Sequence, residues 1–144
     1  MKERHLSWEK IHADSRSMAE KIKKEKRQIQ GIIAVARGGL VPSAIIAHAL
    51  GVPVIEAVGM ASYDADRAQS CVKKVSGGTV SGDGAGWLII DDLVDSGRTF
   101  AALRASYPNA LYCALYAKPE GKQTTDLCAV DVAQREWLVF PWEC

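Results

Sequence analysis

The sequence has no surplus of either charge. Its 18 Lys and Arg face 17 Asp and Glu, a formal net charge of +1 over 144 residues. A chain built to grip nucleic-acid backbones needs a basic excess, so that class of partner is excluded. It has no Cys-x-x-Cys pair. Cys71, Cys113, Cys128 and Cys144 stand far apart, and no His follows them at zinc-finger spacing, which argues against a structural zinc. No apolar run approaches the ~20 residues of a membrane span. The segment from Met1 to Ser7 carries Lys2, Glu3, Arg4 and His5 and has no apolar core of a secretory signal. Scattered thiols without such a signal predict a cytoplasmic protein, with no integral membrane segment and room only for peripheral membrane contact. Internal repeats and low-complexity stretches are absent too.

What is present is a globular composition, 48% hydrophobic and 24% charged, which excludes disorder. The length fits a single domain over residues 1–144 with a core of its own. Ser7 is placed to cap a helix running from Trp8 into the charged stretch Lys21 to Arg27, with Trp8, Ile11, Ser15, Met18, Ala19 and Ile22 on one side. The basic residues at its end suit the helix dipole and stay solvated. Gly31 to Ala36 reads as a buried parallel strand. Leu40 to Leu50 reads as an apolar helix with Pro42 in its first turn and Gly51 as its stop. Val52 to Met60, Gly86 to Ile90, Leu111 to Ala117 and Cys128 to Val132 read as further strands, and Phe100 to Tyr107 as a helix ended by Pro108-Asn109. His5, His12 and His48 fit no ligand spacing, and Trp87, Phe100 and Trp142 read as structural. Residues 61–85 are polar and Gly-rich, the character of a lid or binding loop with a short hairpin. Alternating strands and helices of this length predict an α/β fold with a mainly parallel sheet and flanking helices.

Ligands of such sheets lie at the carboxyl ends of the strands, and three of those ends carry polar chemistry here: Arg37-Gly38-Gly39, the stretch Asp91 to Thr99, and Lys118. Two adjacent acids at Asp91-Asp92 exceed what helix capping needs and are costly inside a core. Ser96-Gly97-Arg98-Thr99 then opens a helix, where backbone N–H groups and hydroxyls can hold a phosphate. The segment so pairs a phosphate cradle with carboxylates able to face hydroxyls or a hydrated Mg2+. It is neither a Walker A loop nor a dinucleotide fingerprint, since Gly82, Gly84 and Gly86 precede a strand. A phospho-receiver domain is excluded, because its acidic pair follows the first strand and this one follows the third. Taken alone, Lys118 carries little signal and Trp137 reads as a core aromatic.

The run Asp91 to Thr99 resembles the PRPP-binding motif of type I phosphoribosyltransferases. Ala36-Arg37-Gly38-Gly39-Leu40-Val41-Pro42, Ser62-Tyr63-Asp64, Ala117-Lys118-Pro119 and Pro141-Trp142 extend the resemblance, in order, to the xanthine-guanine branch of the purine enzymes. It implies a type I phosphoribosyltransferase fold and transfer of the 5-phosphoribosyl group from PRPP to guanine, xanthine or hypoxanthine. In that reading Asp91 and Asp92 face the ribose hydroxyls and a Mg2+ bridging ribose and pyrophosphate, with Asp92 as the metal ligand. Ser96, Gly97, Arg98 and Thr99 hold the 5′-phosphate. Asp95 lies near the purine imidazole for proton transfer. Arg37 and Gly38 form the pyrophosphate loop, where the family often has a non-proline cis peptide, and Arg37 stabilises the leaving group. Lys118 donates to the purine 6-oxygen, Trp137 stacks on the base, and Leu138 offers backbone contacts at its 2-position side. Tyr63 begins the lid. Homo-oligomers, dimers or tetramers, are the family's habit.

The sequence departs from the pattern at Gln69, where the family places a lid arginine. Arg67, Lys73 and Lys74 stand nearby as substitutes. It departs again at Arg98, where related bacterial enzymes have Gly, and in the short stretch after Pro141-Trp142. The alternatives are a hypoxanthine-guanine enzyme of the same superfamily and a non-catalytic PRPP-binding regulator.

Overall fold

The computed structural model describes residues 2–63, 71–77 and 80–144. Asp64, Asp66, Arg67 and Gln69 of the expected lid lie outside the described residues. The elements run β1 (Lys2–His5), α1 (Trp8–Lys24), β2 (Gly31–Ala36), α2 (Leu40–Leu50), β3 (Ile55–Tyr63), β4 (Cys71–Gly77), β5 (Trp87–Val94), α3 (Arg98–Ser106), β6 (Leu111–Ala117), β7 (Leu127–Asp131) and β8 (Glu136–Val139). Six strands form the main sheet in the order β4-β3-β2-β5-β6-β7. All its pairings are parallel except β3 with β4.

Side chains alternate across a strand with period two, and both faces of this sheet are covered. Ile32, Leu88, Ile90, Leu111, Cys113 and Leu115 point into the core shared with α1 and α2. Ile33, Val35, Ile89, Tyr112 and Ala114 point the other way, toward Phe100 and Leu103 of α3. Two covered faces explain why these strands read as unbroken apolar runs. Burial pushes the Cys113 thiol far above its usual range. The Ser7 hydroxyl accepts the Lys10 N–H at 3.1 Å, and Gly51 ends α2 in the left-handed conformation at φ 68°.

Several boundaries differ from expectation. Strand β3 starts at Ile55 and not at Val52, and continues to Tyr63. There it pairs antiparallel with β4, so part of the expected 61–85 lid is a two-stranded extension of the sheet. Strand β5 runs on through Asp91-Asp92 to Val94, and α3 starts at Arg98, earlier than Phe100. The parallel ribbon β1–β8 was not expected at all. Its strands are four residues long, and β1 is Lys-Glu-Arg-His, without an apolar face to read. The ribbon places Trp137 and Leu138 beside the carboxyl ends of β5 and β6.

One polar contact is buried between α1 and the sheet. The Asp14 carboxylate accepts from Lys10 Nζ at 2.8 Å and from the Tyr116 hydroxyl, and both Asp14 and Tyr116 are buried. Burial, and after it the bond to Asp14, hold the Tyr116 phenol well above its usual pKa, so it remains a donor. Tyr116→Phe leaves a desolvated carboxylate oxygen unpaired and should cost ~1–3 kcal/mol. Urea unfolding should show this as a lower midpoint at an unchanged slope. A midpoint equal to wild type would mean that the contact adds nothing to stability.

Candidate active site at the carboxyl ends of the strands

The apolar run of β5 ends in two acids that share one turn of extended chain. Asp91 Oδ1 accepts the Asp92 N–H at 2.8 Å, and Asp92 Oδ1 accepts the Leu93 N–H at 2.7 Å. Burial, and then the charge of Asp92, raise the Asp91 pKa well above the usual carboxylate range. Burial raises Asp92 as well, against the pull of hydrogen bonds from Asp91 and the Leu93 N–H. The charge of Glu143 adds to that rise. Two carboxylates so placed repel each other and gain from any cation that joins them.

Across from them lies the turn after β2. The Ala36–Arg37 peptide is cis, and the Gly39 N–H closes the turn on Val35 O at 2.8 Å. A Cβ at position 38 would overlap the Asp92 carboxylate. Only glycine lets this backbone and that acid share the space. Arg37, Gly38, Asp92, Trp142 and Glu143 are among the residues around a cavity of about 660 Å³.

Beyond β5, Gly97 turns the chain at φ 87° into α3, a conformation glycine adopts without strain. A side chain there would also press on Thr124 of the 3-10 helix Pro119–Thr124. Asp95, Ser96, Gly97, Arg98 and Thr99 surround a smaller hollow of about 130 Å³ at the start of α3. The Ser96 hydroxyl accepts the Arg98 N–H at 3.4 Å.

Between the two lies a third cavity, of about 260 Å³, lined by Asp92, Asp95, Lys118, Trp137, Leu138 and Glu143 among others. Lys118 follows β6, and its backbone N–H donates to Val94 O at 2.9 Å. Its side chain is only 5% exposed, and Nζ donates to Asp95 Oδ2 at 3.3 Å. A surface lysine would not be buried this way. Trp137 is 53% exposed and lines this cavity, so it is not a core residue. Leu138 is buried and lines the same cavity.

The three loaded strand ends therefore meet in one cleft, and Arg37, Gly38, Asp91, Asp92, Asp95 to Thr99, Lys118, Trp137 and Leu138 all line it. Trp142, read as structural, stacks on Phe140 with centroids 4.8 Å apart and lines the largest of the cavities too. Sequence reasoning missed Glu143, which borders two of the cavities, and Gln134, which donates to Asp95. A lone Glu and a lone Gln carry no pattern; Glu143 is signalled only by its place after Pro141-Trp142. A separate hollow of about 410 Å³ by His48 and Ile55 contains no acid and no phosphate cradle.

Residues 6–144 match the phosphoribosyl transferase domain model. The chain is 42% identical to a xanthine-guanine phosphoribosyltransferase of Gluconobacter oxydans over 96% of its own length and 83% of the relative's. It is 41% identical to one of Nitratidesulfovibrio vulgaris over the same shares. Among solved structures, a purine phosphoribosyltransferase of Pyrococcus horikoshii superposes with a TM-score of 0.82 at 25% identity, covering 100% of this chain and 96% of that one. The Helicobacter pylori xanthine-guanine-hypoxanthine phosphoribosyltransferase shares the fold, with a TM-score of 0.80 at 23% identity over 98% and 94% of the two chains. Identity at this level along nearly the whole length leaves no room for a chance likeness of fold: the chain belongs to the phosphoribosyl transferase domain family and, within it, to the xanthine-guanine phosphoribosyltransferases.

Proposed function

We propose that this chain is a purine-salvage transferase that moves the 5-phosphoribosyl group of PRPP to guanine, xanthine or hypoxanthine and releases pyrophosphate. One observation carries the reading. The end of β5 is a common wall of three adjoining cavities: Asp92 borders the largest and the middle one, and Asp95 the middle and the smallest. PRPP has a phosphate at one end, a pyrophosphate at the other and a sugar between. Three linked cavities around a carboxylate-lined centre suit that molecule and a base attacking its C1.

In this reading Ser96 to Thr99 cradle the 5′-phosphate with backbone N–H groups and hydroxyls. Arg37 and the Gly38 backbone receive the pyrophosphate. As the purine nitrogen bonds to C1, the C1–O bond to pyrophosphate breaks, the ring gains positive charge and the leaving group takes the electron pair. Asp91 and Asp92 favour the cationic ring, and Arg37 the departing anion. Asp95 accepts the proton that the purine imidazole gives up. Lys118 donates to the 6-oxygen, Trp137 covers the base face, and Leu138 offers its backbone at the 2-position.

The donor set fits Mg2+. Two adjacent carboxylates, both held up in pKa chiefly by burial, suit an ion commonly bound by one or two acids together with substrate phosphates. Among the described residues no three His, Cys, Asp or Glu side chains gather into a cage, so the remaining ligands would be substrate oxygens and water. Asp92 would hold the ion with Asp91 beside it. When bound it supplies electrostatic stabilisation of the leaving pyrophosphate. No helix among the described residues is long and apolar enough to cross a membrane, and the buried free thiol Cys113 suits a cytoplasmic setting. Leu40, Val54 and Ile55 are exposed, apolar surface that a homo-oligomer would cover. Light scattering at micromolar concentration should report a dimer or tetramer, and a monomer throughout that range would refute the assembly.

Asp91→Asn and Asp92→Asn should each lower kcat/KM by about 100-fold or more, while the fold holds. The folded-state pKa of Asp91 lies above its unfolded value. The folded chain thus binds that proton more tightly, and apo stability falls as pH rises through the interval between the two values. Asp91→Asn should remove that slope and melt no lower than wild type at neutral pH. Activity should vanish in excess chelator and return with Mg2+. Full activity in chelator would rule out the metal.

Base choice is testable separately. Lys118 has donors only and suits a 6-oxo acceptor. Adenine presents an amino donor there, so the 6-position hydrogen bond is lost and two donors face each other, at a cost of ~1–3 kcal/mol. Guanine should be the better substrate by well over tenfold in kcat/KM. Comparable turnover of adenine would show that Lys118 does not read the base.

A further inference from the structure

The mechanism leaves one polar side chain beside Asp95 without a role. Gln134 lies in the turn between β7 and β8. Its Nε2 donates to Asp95 Oδ1 at 2.8 Å, and its Oε1 accepts the backbone N–H of Glu120 at 3.0 Å. The second bond dictates the first. A backbone N–H can only donate, so it selects the carbonyl end of the amide and turns the NH2 end toward Asp95. Lys118 Nζ takes the other carboxylate oxygen, Oδ2, at 3.3 Å.

The Asp95 side chain is 55% exposed, so packing does little to fix its rotamer and these two hydrogen bonds do most of it. They are not equivalent once a base arrives. Lys118 is then drawn to the 6-oxygen, and the bond that stays with Asp95 is the one from Gln134. A neutral amide suits this place. It orients the carboxylate, whereas a second cation would weaken it as a proton acceptor.

We propose that Gln134 is a positioning residue for proton transfer: it holds the Asp95 carboxylate toward the purine imidazole while Lys118 engages the base. This rests on the reading of Asp95 as the proton acceptor. The test is a double-mutant cycle with Gln134→Met, which keeps length and loses both hydrogen bonds, in wild-type and Asp95→Ala backgrounds. In the wild-type background kcat should fall by about tenfold, with KM for PRPP and the melting temperature close to wild type. In the Asp95→Ala background the same substitution should cost less than about twofold, because its partner is already gone.

A side chain that merely anchored the turn through Glu120 would cost the same in both backgrounds, and that result overturns the proposal. So does an unchanged kcat in Gln134→Met. Gln134→Glu gives an independent check. It keeps the acceptor for the Glu120 N–H but sets a carboxylate against Asp95, and should lose at least as much activity as Gln134→Met. Wild-type activity in Gln134→Glu overturns the proposal. Wild-type activity in Asp95→Ala overturns the underlying assignment of Asp95 and this inference with it, whereas a loss in Asp95→Ala without one in Gln134→Met overturns the inference alone.

Discussion

Burying part of two adjacent carboxylates at the end of the central strand disfavours their ionised forms, and the surrounding backbone is arranged around that cost. The β5 ladder holds Asp91 and Asp92 in extended chain, and each oxygen that accepts a main-chain N–H is committed to the next residue along. Gly38 then brings the β2 turn into the volume a side chain would need, so the acids face backbone and cavity instead of bulk water. Both acids line the cavities. A site left with unsatisfied negative charge is prepared for a polyanionic substrate only if cations come with it, and Arg37, Arg98 and Lys118 line the same cavities.

That arrangement was largely legible because its parts are local in sequence. The ends of Gly31–Ala36 and Leu111–Ala117 are legible in the sequence, since a strand covered on both faces is a plain apolar run between breakers. Gly51 marks the end of α2 for a similar reason: its left-handed backbone is a short-range property. Asp91 to Thr99 carries acids, turn and helix start within nine consecutive residues, so strand, cleft and cradle could be inferred together.

What was illegible depends on pairing across the chain. The β1–β8 ribbon joins the two termini, and neither strand has the alternating apolar face that would reveal it. The bond from Gln134 to Asp95 spans 39 positions, and nothing in a lone Gln announces it. The β3 boundary failed for another reason. Pro53 and the apolar Val52 and Val54 read as strand, yet the ladder with β2 begins at Ile55, with the Val54 carbonyl accepting from the Ile32 N–H as its first bond. Apolar pattern alone cannot tell the last loop residue from the first strand residue.

The ribbon also ties the N-terminal segment to the site. Lys2 to His5 pair in register with Glu136 to Val139, so Glu3 stands opposite Trp137 and Arg4 opposite Leu138. The Leu6 N–H extends the pairing to Val139 O at 2.9 Å, and Arg4 approaches Glu136 at 3.9 Å. Aromatic contacts continue the link: Trp8 of α1 meets Trp142, Trp142 stacks on Phe140, and Phe140 meets Tyr116 of β6. The hydroxyl of that same Tyr116 returns to Asp14 on α1. A two-stranded ribbon has little stability of its own, and this loop of contacts is what docks it. The wall of the base cavity is thus set by how α1 and the ribbon seat on the sheet, and a half-exposed Trp137 at its rim gains a fixed place from residues at the opposite end of the chain.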